Sequence, residues 1–441
     1  MRKLLLVFLI LFLFLSAAAP ALERQPNADY RARREALAKK IEGIAVLFAP
    51  MEEGDAIYGF RQDDNFYYLS GITEPGAALL IAPAAEAKDS SPARPYTEIL
   101  FLPPRNLIQE KWLGPKLGPE NPEAAKITGF DRVEEIGKLP DELGMLISGS
   151  MPLVYTDLPE HGESASTKAL PFLQRINSAI AYRDVKPMLS SLRTVKDTGE
   201  LALLRKAVDA TVAGHFAAFK AVKPSVTERE ISALLQYEWG KRGSERPAYA
   251  PIVGSGFNST VLHYSEDAAT MKAGDVVVID AAGEYSMYAA DITRTLPVNG
   301  HFTVRQREIY DIVLGAQEAA AAAFQSGKST FKKEGPNSLY KVAYDYINSH
   351  GKDLHGEPLG KYFIHGLGHY LGLNVHDPGD YEVPLGPGMV FTIEPGIYIP
   401  EESLGVRIED DYMVDADGKL IKLSGALPSK AEDVEKTMAG K

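Results

Sequence analysis

Two aspartates stand at positions where they could share a cation. Asp280 ends the apolar run 276–279, and Asp291 follows eleven residues later in a second strand-like segment. A hairpin whose loop is Tyr285 and Ser286 would place the two aspartates directly opposite each other on one face of the sheet. Adjacent carboxylates repel unless a shared proton or a cation neutralises them, and a divalent cation pairs with both charges at once. The pair favours a metal site, and the alternative is a strand-capping Asp280 beside an exposed Asp291.

A second group of candidates is a cluster of histidines. Four of the nine histidines lie between residues 355 and 376, and they include His365 and His369, separated by Gly-Leu-Gly, and then His376. A lone histidine is usually structural, but glycines let a backbone approach a ligand closely. The density of histidines among glycines therefore favours a functional site.

Two glutamates complete the candidate set, and each follows a strand-like run. Glu394 precedes a Pro-Gly pair, whereas Arg407 and Glu409 share one strand face, so a surface salt bridge is their alternative explanation. Four carboxylates and one imidazole suit Mn²⁺, Co²⁺ or Zn²⁺ better than Mg²⁺. Two such ions about 3.5–4 Å apart would activate a water and polarise a carbonyl, as in aminopeptidases. The pattern therefore predicts peptide hydrolysis.

The first predicted domain, residues 22–190, has α/β character. Short β-rich runs such as 78–81 and 97–102 alternate with Pro- and Ser-rich connections. The segment 60–69 concentrates aromatic and polar residues, and it is interpreted either as a strand entrance with packed tyrosines or as part of a binding site.

The second predicted domain, residues 191–441, carries all the candidate ligands. Asp197 and Glu200 form a capping box before a long amphipathic helix, and Thr227 begins a second helix. After residue 250, short strands and Gly/Pro turns alternate irregularly with a helix near 305–324. These features predict an α+β domain with a mainly antiparallel sheet.

The chain begins with a predicted signal peptide, residues 1–21. Arg2 and Lys3 precede an apolar run shorter than the roughly 20 residues that cross a bilayer, and Ala-Pro-Ala at 19–21 reads as a cleavage site. A retained membrane anchor is the alternative. We expect an exported protein, periplasmic or secreted, with no stable membrane association after cleavage.

The composition and net charge of the chain exclude several kinds of catalytic site and disfavour one class of partner. The chain has no cysteine, which removes thiolate nucleophiles, Cys-based zinc sites and iron-sulfur clusters from consideration. Its formal net charge of −12 would repel phosphate backbones, so nucleic acid is not an expected partner.

Four segments in combination resemble the pita-bread metallopeptidases, most closely the Xaa-Pro aminopeptidases (aminopeptidase P), with prolidase as a near relative. They are the stretches 291–295, 365–369, 394–396 and 407–410. Residues 60–71 resemble the N-terminal domain of the same family. The resemblance implies a fold of class α+β, with an N-terminal α/β domain followed by a C-terminal pita-bread (creatinase/aminopeptidase-like) catalytic domain.

The resemblance also implies a role for each candidate residue. Asp280 would chelate one of two divalent ions, with Mn²⁺ the first choice and Zn²⁺ or Co²⁺ the alternatives. His369 and Glu394 would hold the other ion, and Asp291 and Glu409 would bridge both. Glu394 would also be the general base. Substrate binding, proton shuttling and stabilisation of the tetrahedral intermediate would fall to His263, His365 and His376, with Arg407 as a further substrate-binding residue.

The implied activity is removal of the N-terminal residue from peptides with proline in second position, by attack of a hydroxide held by the two metals. A prolidase acting on dipeptides is the close alternative, and a non-catalytic peptide-binding relative is disfavoured because all five ligands are present. Relatives are commonly homodimers or homotetramers in which a neighbour's N-terminal domain closes the active site, and residues 66–68 are candidates for that contact. Ala282 and Met287 stand where the family often has glycine, so the hairpin loop is expected to differ.

Overall fold

A computed structural model of the chain describes residues 22–52, 57–87, 93–147, 153–158, 172–176 and 180–440. The predicted signal peptide, residues 1–21, lies outside the described residues. Within the described ranges, no helix combines the length and the apolar character needed to cross a membrane.

The N-terminal part is built on a six-stranded mixed sheet. Its strands are β1 Ile44–Phe48, β2 Ala78–Ala82, β3 Thr97–Leu102, β4 Arg132–Glu135, β5 Leu153–Thr156 and β6 Ala181–Asp184. They lie in the order β4-β3-β2-β1-β5-β6, with β1 and β3 antiparallel to β2 and the other pairs parallel. Ala45 and Leu47 face one apolar cluster, and Ile44 and Val46 face another, because successive side chains of a strand point to opposite faces. This sheet has the predicted α/β character.

One helix of the N-terminal part corrects a sequence interpretation. The helices are Asn27–Ala38, Asp64–Ser70, Glu110–Leu113, Ala124–Thr128, Leu139–Ile147 and Lys186–Arg193. The segment 60–69 is not a strand entrance, because the Asp63 carboxylate accepts a 2.8 Å hydrogen bond from the Phe66 N–H and begins a helix that ends at Gly71. Phe66, Tyr67 and Tyr68 are all buried in their own chain, so they are wrong as candidates for closing a neighbour's active site.

Among its described residues, the C-terminal part has five α-helices with defined bounds, and a side chain caps the N-terminus of each of the first four. The helices are Thr198–Ala221, Glu228–Gly240, Val304–Ala323, Leu339–His350 and Ala431–Met438. The predicted capping box of Asp197 and Glu200 is present, and Thr227 forms a second one with Glu230. In each box the N-cap side chain accepts from the N3 backbone N–H, which satisfies donors that the helix itself leaves free.

The strands of the C-terminal part pair only in antiparallel fashion among the described residues, as the sequence predicted. The strands are β7 Arg246–Pro247, β8 Ile252–Ser255, β9 Val276–Asp280, β10 Gly283–Tyr285, β11 Tyr288–Ala289, β12 Thr293–Pro297, β13 Val390–Ile393, β14 Gly396–Ile399, β15 Leu404–Arg407, β16 Asp410–Val414 and β17 Leu420–Lys422. They form four sheets, with the strand orders β11-β10-β7, β12-β9-β8, β13-β16-β17 and β14-β15.

The turn between β10 and β11 lies one residue later than the sequence predicted. Tyr285 pairs with Tyr288, so the loop is Ser286 and Met287, which have φ of +48° and +75°. Two positive φ angles are the signature of a type I′ turn, which normally favours Asn and Gly. The one-residue shift changes the register, and Asp280 pairs with Thr293 instead of standing opposite Asp291.

Buried ion pairs join the two parts of the chain. The Asp377 carboxylate accepts from Arg193 at 2.6 Å and from Lys196 at 3.0 Å, and all three side chains are buried. Arg193 also donates to Asn65 of the N-terminal part at 2.8 Å. The predicted domain boundary between residues 190 and 191 falls inside the helix Lys186–Arg193, and it stays a prediction.

We expect Asp377→Ala to destabilise the protein by about 3–5 kcal/mol, because two buried cations would lose their counter-charge. The midpoint of urea unfolding of the whole chain measures the loss. Asp311→Ala is the matched control, since its pair with Arg307 lies on an exposed helix face and such pairs contribute about 0.3–0.5 kcal/mol. Equal shifts for the two variants would contradict the assignment of the Asp377 cluster as a buried junction.

Candidate active site

The candidate ligands lie where strands of two hairpins break. Glu394 and Pro395 separate β13 from β14, and Ile408 and Glu409 separate β15 from β16. Because β13 pairs with β16 and β14 with β15, the two breaks face each other. Proline, which has no N–H, cannot continue the ladder. Asp291 lies in a similar break, so strand interruptions turn carboxylates out of the sheets and toward one another.

All the predicted site residues line one cavity of about 630 Å³. Asp280, Asp291, His369 and Glu409 are buried, while Glu394 is half-buried. The other predicted site residues that line the cavity are His263, His365, His376 and Arg407. The structure therefore brings the whole predicted set together, although the role of each residue stays a prediction.

The donor atoms at the base of the cavity fit a divalent cation. Donor atoms of Asp291, His369 and Glu409 lie within 4.8 Å of one another. The His369 Nε2 atom is 3.3 Å from an Asp291 oxygen and 3.5 Å from Glu394 Oε1. Glu409 Oε1 is buried and has no hydrogen-bond partner among the described residues. A buried carboxylate oxygen without a donor is costly, and a cation is the natural partner for it.

The ring of His369 is fixed in the orientation that a ligand needs. Its Nδ1–H donates to the Tyr370 carbonyl at 3.1 Å, which leaves Nε2 as the ring nitrogen directed at the carboxylates. A backbone carbonyl on the far nitrogen of a histidine is the usual way in which proteins select this tautomer. His369 is therefore prepared to bind a metal through Nε2.

Burial and mutual repulsion disfavour the charged carboxylates. Burial, followed by the charge of Asp280, raises the pKa of Asp291, and burial with the charge of Asp291 raises the pKa of Glu409 well above its ordinary value. Burial raises the pKa of Glu394 to about 7. Burial alone would lower the pKa of His369, but contact with Asp291 and Glu394 raises it to about 9. The cluster thus has an excess of negative charge that bound cations would neutralise.

Arg407 connects the ligands to the wall of the cavity. Its Nη2 donates to Asp280 Oδ2 at 2.6 Å, and its Nη1 donates to the Tyr398 hydroxyl at 2.8 Å. Its Nε is 3.3 Å from the Thr293 hydroxyl, which donates to Glu409 at 2.7 Å. Arg407 is buried, so the surface salt bridge with Glu409 considered from the sequence is wrong.

His365 is held as a neutral ring. Its Nδ1 lies 2.8 Å from the Gly366 carbonyl, and its Nε2 lies 2.9 Å from the Tyr398 hydroxyl. Burial, followed by the charge of Arg407, lowers the pKa of His365 to about 4. Since both ring nitrogens already have partners, His365 is better suited to forming an apolar wall than to shuttling protons.

The other two histidines lie at the mouth of the cavity and are exposed. His376 packs edge-to-face on His369, with ring centroids 4.5 Å apart. Burial, followed by the charge of His369, lowers the pKa of His376. His263 lies on the loop after the short helix Gly256–Thr260. Their exposure leaves both rings accessible to a substrate.

Sequence reasoning missed two tyrosines of the site. The Tyr249 hydroxyl lies 2.6 Å from Asp280 Oδ1 and 2.5 Å from Asp291 Oδ1, so it bridges the two aspartates. Tyr398 connects Arg407 to His365, as described above. Tyr249 comes just before β8, whose residue Ile252 pairs with Asp280. Only that long-range pairing could have pointed to Tyr249.

A buried arginine supports the site from behind. Arg294 donates from Nη1 to the carbonyls of Thr293 and Glu409, at 2.9 and 2.7 Å. Its Nη2 pairs with Asp410 at 2.7 Å, and both side chains are fully buried. This contact holds the backbone beside Glu409 in place.

Comparison with known proteins identifies the family. Residues 202–416 match metallopeptidase family M24, and residues 30–155 match the aminopeptidase P N-terminal domain. The Xaa-Pro aminopeptidase of Escherichia coli (strain K12) is 33% identical over 443 residues, which cover 93% of this chain and 97% of that protein. Xaa-Pro aminopeptidase 3 of Homo sapiens is 33% identical over 404 residues, which cover 86% of this chain and 77% of that protein.

Solved structures extend the likeness to the fold. Proline aminopeptidase P II from Yersinia pestis superposes with a TM-score of 0.82 at 31% identity, covering 95% of this chain and all of that one. Zn-substituted E. coli aminopeptidase P in complex with product gives 0.82 at 31% identity, with 95% and 99% covered. These matches confirm the predicted two-domain pita-bread architecture. The chain therefore belongs to metallopeptidase family M24, as an enzyme with the N-terminal domain of aminopeptidase P.

Proposed function

We propose that the chain is a metal-dependent exopeptidase that releases the N-terminal residue from peptides with proline in second position. The observation that carries the proposal is the convergence of four carboxylates and the His369 Nε2 atom on one cavity. Two bacterial relatives that match more than nine tenths of this chain are named Xaa-Pro aminopeptidases, which favours this activity over that of a prolidase.

The proposed cofactor is a pair of divalent ions, with Mn²⁺ first and Zn²⁺ or Co²⁺ as alternatives. Asp280 would hold one ion, His369 and Glu394 the other, and Asp291 and Glu409 both. Four carboxylates nearly neutralise two divalent charges, and a single imidazole among oxygens suits these metals. When bound, such ions lower the pKa of water and polarise a carbonyl. Metal content per chain, measured after each ion is added to chelated protein, tests the number of sites.

Glu394 is the proposed general base. With cations bound, its carboxylate would be charged and could accept a proton from water. It lies at the edge of the metal-ligand cluster and is half-buried, so it is accessible from the cavity. The other carboxylates of the cluster lie deeper.

The wall of the cavity suits a proline ring. The neutral ring of His365 and the phenol of Tyr398 form an uncharged surface beside the carboxylates. His263 and His376 are exposed at the mouth, where they would hydrogen-bond the peptide and transfer a proton to the leaving proline nitrogen. Proline's tertiary amide and fixed φ require such a shaped surface, because an ordinary extended-peptide site does not fit it.

The direct test is hydrolysis of an Xaa-Pro-Xaa tripeptide compared with an Xaa-Pro dipeptide by residues 22–441 loaded with Mn²⁺. We expect release of the first residue from the tripeptide. Cleavage of the dipeptide alone would mean a prolidase, and binding of both peptides without cleavage would support a non-catalytic module.

We also propose export and self-association. Residues 1–21 have the pattern of a signal peptide, so the mature protein should begin near residue 22, and an exported protein that keeps Met1 would favour the retained membrane anchor instead. Leu107, Ile108 and Trp112 are 64%, 74% and 85% exposed, and an apolar patch of this kind is typical of an interface. A homodimer or homotetramer in light scattering, weakened by Trp112→Ser, is the expected result.

A further inference from the structure

Glu228 is a buried carboxylate whose hydrogen-bond donors all come from one loop. It is the first residue of the helix Glu228–Gly240, its side chain is fully buried, and it forms no ion pair among the described residues. Its two oxygens accept five hydrogen bonds from the segment 255–269. The donors are the Ser255 N–H at 2.7 Å, the Ser255 hydroxyl at 2.8 Å, the Asn258 amide at 3.1 Å, the Tyr264 hydroxyl at 3.0 Å and the Ala269 N–H at 2.7 Å.

This arrangement closes the loop at both ends. Ser255 begins the segment and Ala269 ends it, and the Glu228 backbone N–H also donates to the Ala269 carbonyl at 3.0 Å. A carboxylate that accepts several N–H and O–H groups can remain charged in a buried position without a cation. Glu228 therefore anchors the fifteen residues of the segment 255–269 through a single side chain.

The helix does not need this carboxylate for its own N-terminus. Thr227 and Glu230 already form a complete capping box there. The Glu228 side chain is free to leave the helix and to bind the loop instead. A role in helix capping thus does not explain why the charge is buried.

The loop carries His263, one of the two exposed histidines at the mouth of the cavity. The next residue, Tyr264, is bonded to Glu228, and the carbonyl of the preceding Leu262 accepts from Arg407 at 3.4 Å. His263 is thus held between an anchor outside the site and a residue inside it. We propose that Glu228 is a positioning residue that fixes His263 over the active-site cavity; the catalytic part of this inference rests on the proposed function.

Glu228→Gln tests the anchor because the side chain keeps its shape. An amide has one acceptor oxygen and one donor NH₂ group. Whichever way the amide of this variant is turned, its NH₂ group faces the backbone N–H of either Ser255 or Ala269, and two donors cannot form a hydrogen bond. Glu230→Gln is the matched control: it removes the same charge two residues away on an exposed position, and glutamine still completes a capping box.

Hydrogen exchange measures the anchor without any substrate. We expect amides of 255–269 to exchange about tenfold faster in Glu228→Gln, with the strand β9 unchanged and Glu230→Gln like the wild type. Tyr264→Phe serves if Glu228→Gln does not fold. It removes one of the five bonds and also the acceptor of the Ala268 N–H, so amides of the same segment other than that of Ala268 should show a smaller change. Unchanged exchange of the loop would overturn the proposal, whatever the peptidase activity.

Kinetics then test the connection to His263. If Glu228 acts through His263, Glu228→Gln should lower kcat about 100-fold in the wild type and less than about twofold in His263→Ala. Metal content should be the same in all variants. A loss of the same factor in both backgrounds would show that Glu228 only stabilises the fold, and it would contradict the positioning role while leaving the proposed function intact.

Discussion

Glu394→Gln is expected to lower kcat by about 10²–10⁴-fold and to leave the fold intact. Glutamine has the same shape as glutamate, but it cannot accept a proton from water. The side chain lies at the cavity edge, 3.5 Å from His369 Nε2, so no core packing is lost. Steady-state hydrolysis of an Xaa-Pro tripeptide is the measurement.

A matched control separates catalysis from charge. Glu401→Gln removes one negative charge from an exposed turn a few residues along the chain, and it should retain full activity. Metal content of the Glu394 variant must be measured as well, since glutamate to glutamine also weakens a ligand. A variant that keeps its metal and retains more than a tenth of the wild-type kcat would exclude Glu394 as the base.

Metal removal is expected to abolish activity and to reverse the pH dependence of stability. In the metal-free protein, Glu394 has a pKa of about 7 against an ordinary 4.5, so the folded state holds its proton longer and stability falls as pH rises from about 4.5 to 7. His369 has a pKa of about 9 against 6.5, so its stabilising charge is present below 6.5 and lost by about 9. Both groups make the metal-free protein less stable at higher pH.

Bound metal should act in the opposite direction. Ligands must lose their protons to bind a cation, so the metal's contribution to stability grows with pH. Unfolding temperatures of chelated and Mn²⁺-loaded protein between pH 5.5 and 8.5 test this, and the gap between the two should widen with pH. A constant gap would mean that the cluster does not bind the ion.

The sequence located residues that the structure brings to one cavity, because the four carboxylates follow strand-like runs and His369 lies in a cluster of histidines among glycines. Their role as metal ligands stays a prediction. Sequence reasoning failed on the register of the hairpin, because Ser286 and Met287 adopt φ angles that their residue types disfavour. Tertiary contacts override that preference: Met287 is buried in the cluster between the two parts of the chain, and Ser286 accepts from the Glu23 N–H at 2.8 Å. Such contacts are not visible in a local pattern.

Long-range pairing explains why Tyr249 was missed, whereas the error on segment 60–69 was local. Tyr249 reaches Asp280 only because β8 pairs with β9, and no spacing within the sequence reveals that pair. The segment 60–69 resembles a strand because aromatic residues favour sheets. The cap at Asp63 and the left-handed Gly71 were the stronger indicators, and they predict the helix that is observed.

The buried cluster around Asp377 has a consequence for how the two halves of the chain could be exchanged between relatives. Asp377 follows His376 directly, and it is held by Arg193, which in turn binds Asn65 of the N-terminal part. An N-terminal half grafted from another family member would have to supply a matching partner at that position. Without it, the misfit would reach the histidine at the mouth of the cavity through Arg193 and Asp377, so we expect the two halves to function only as a matched pair.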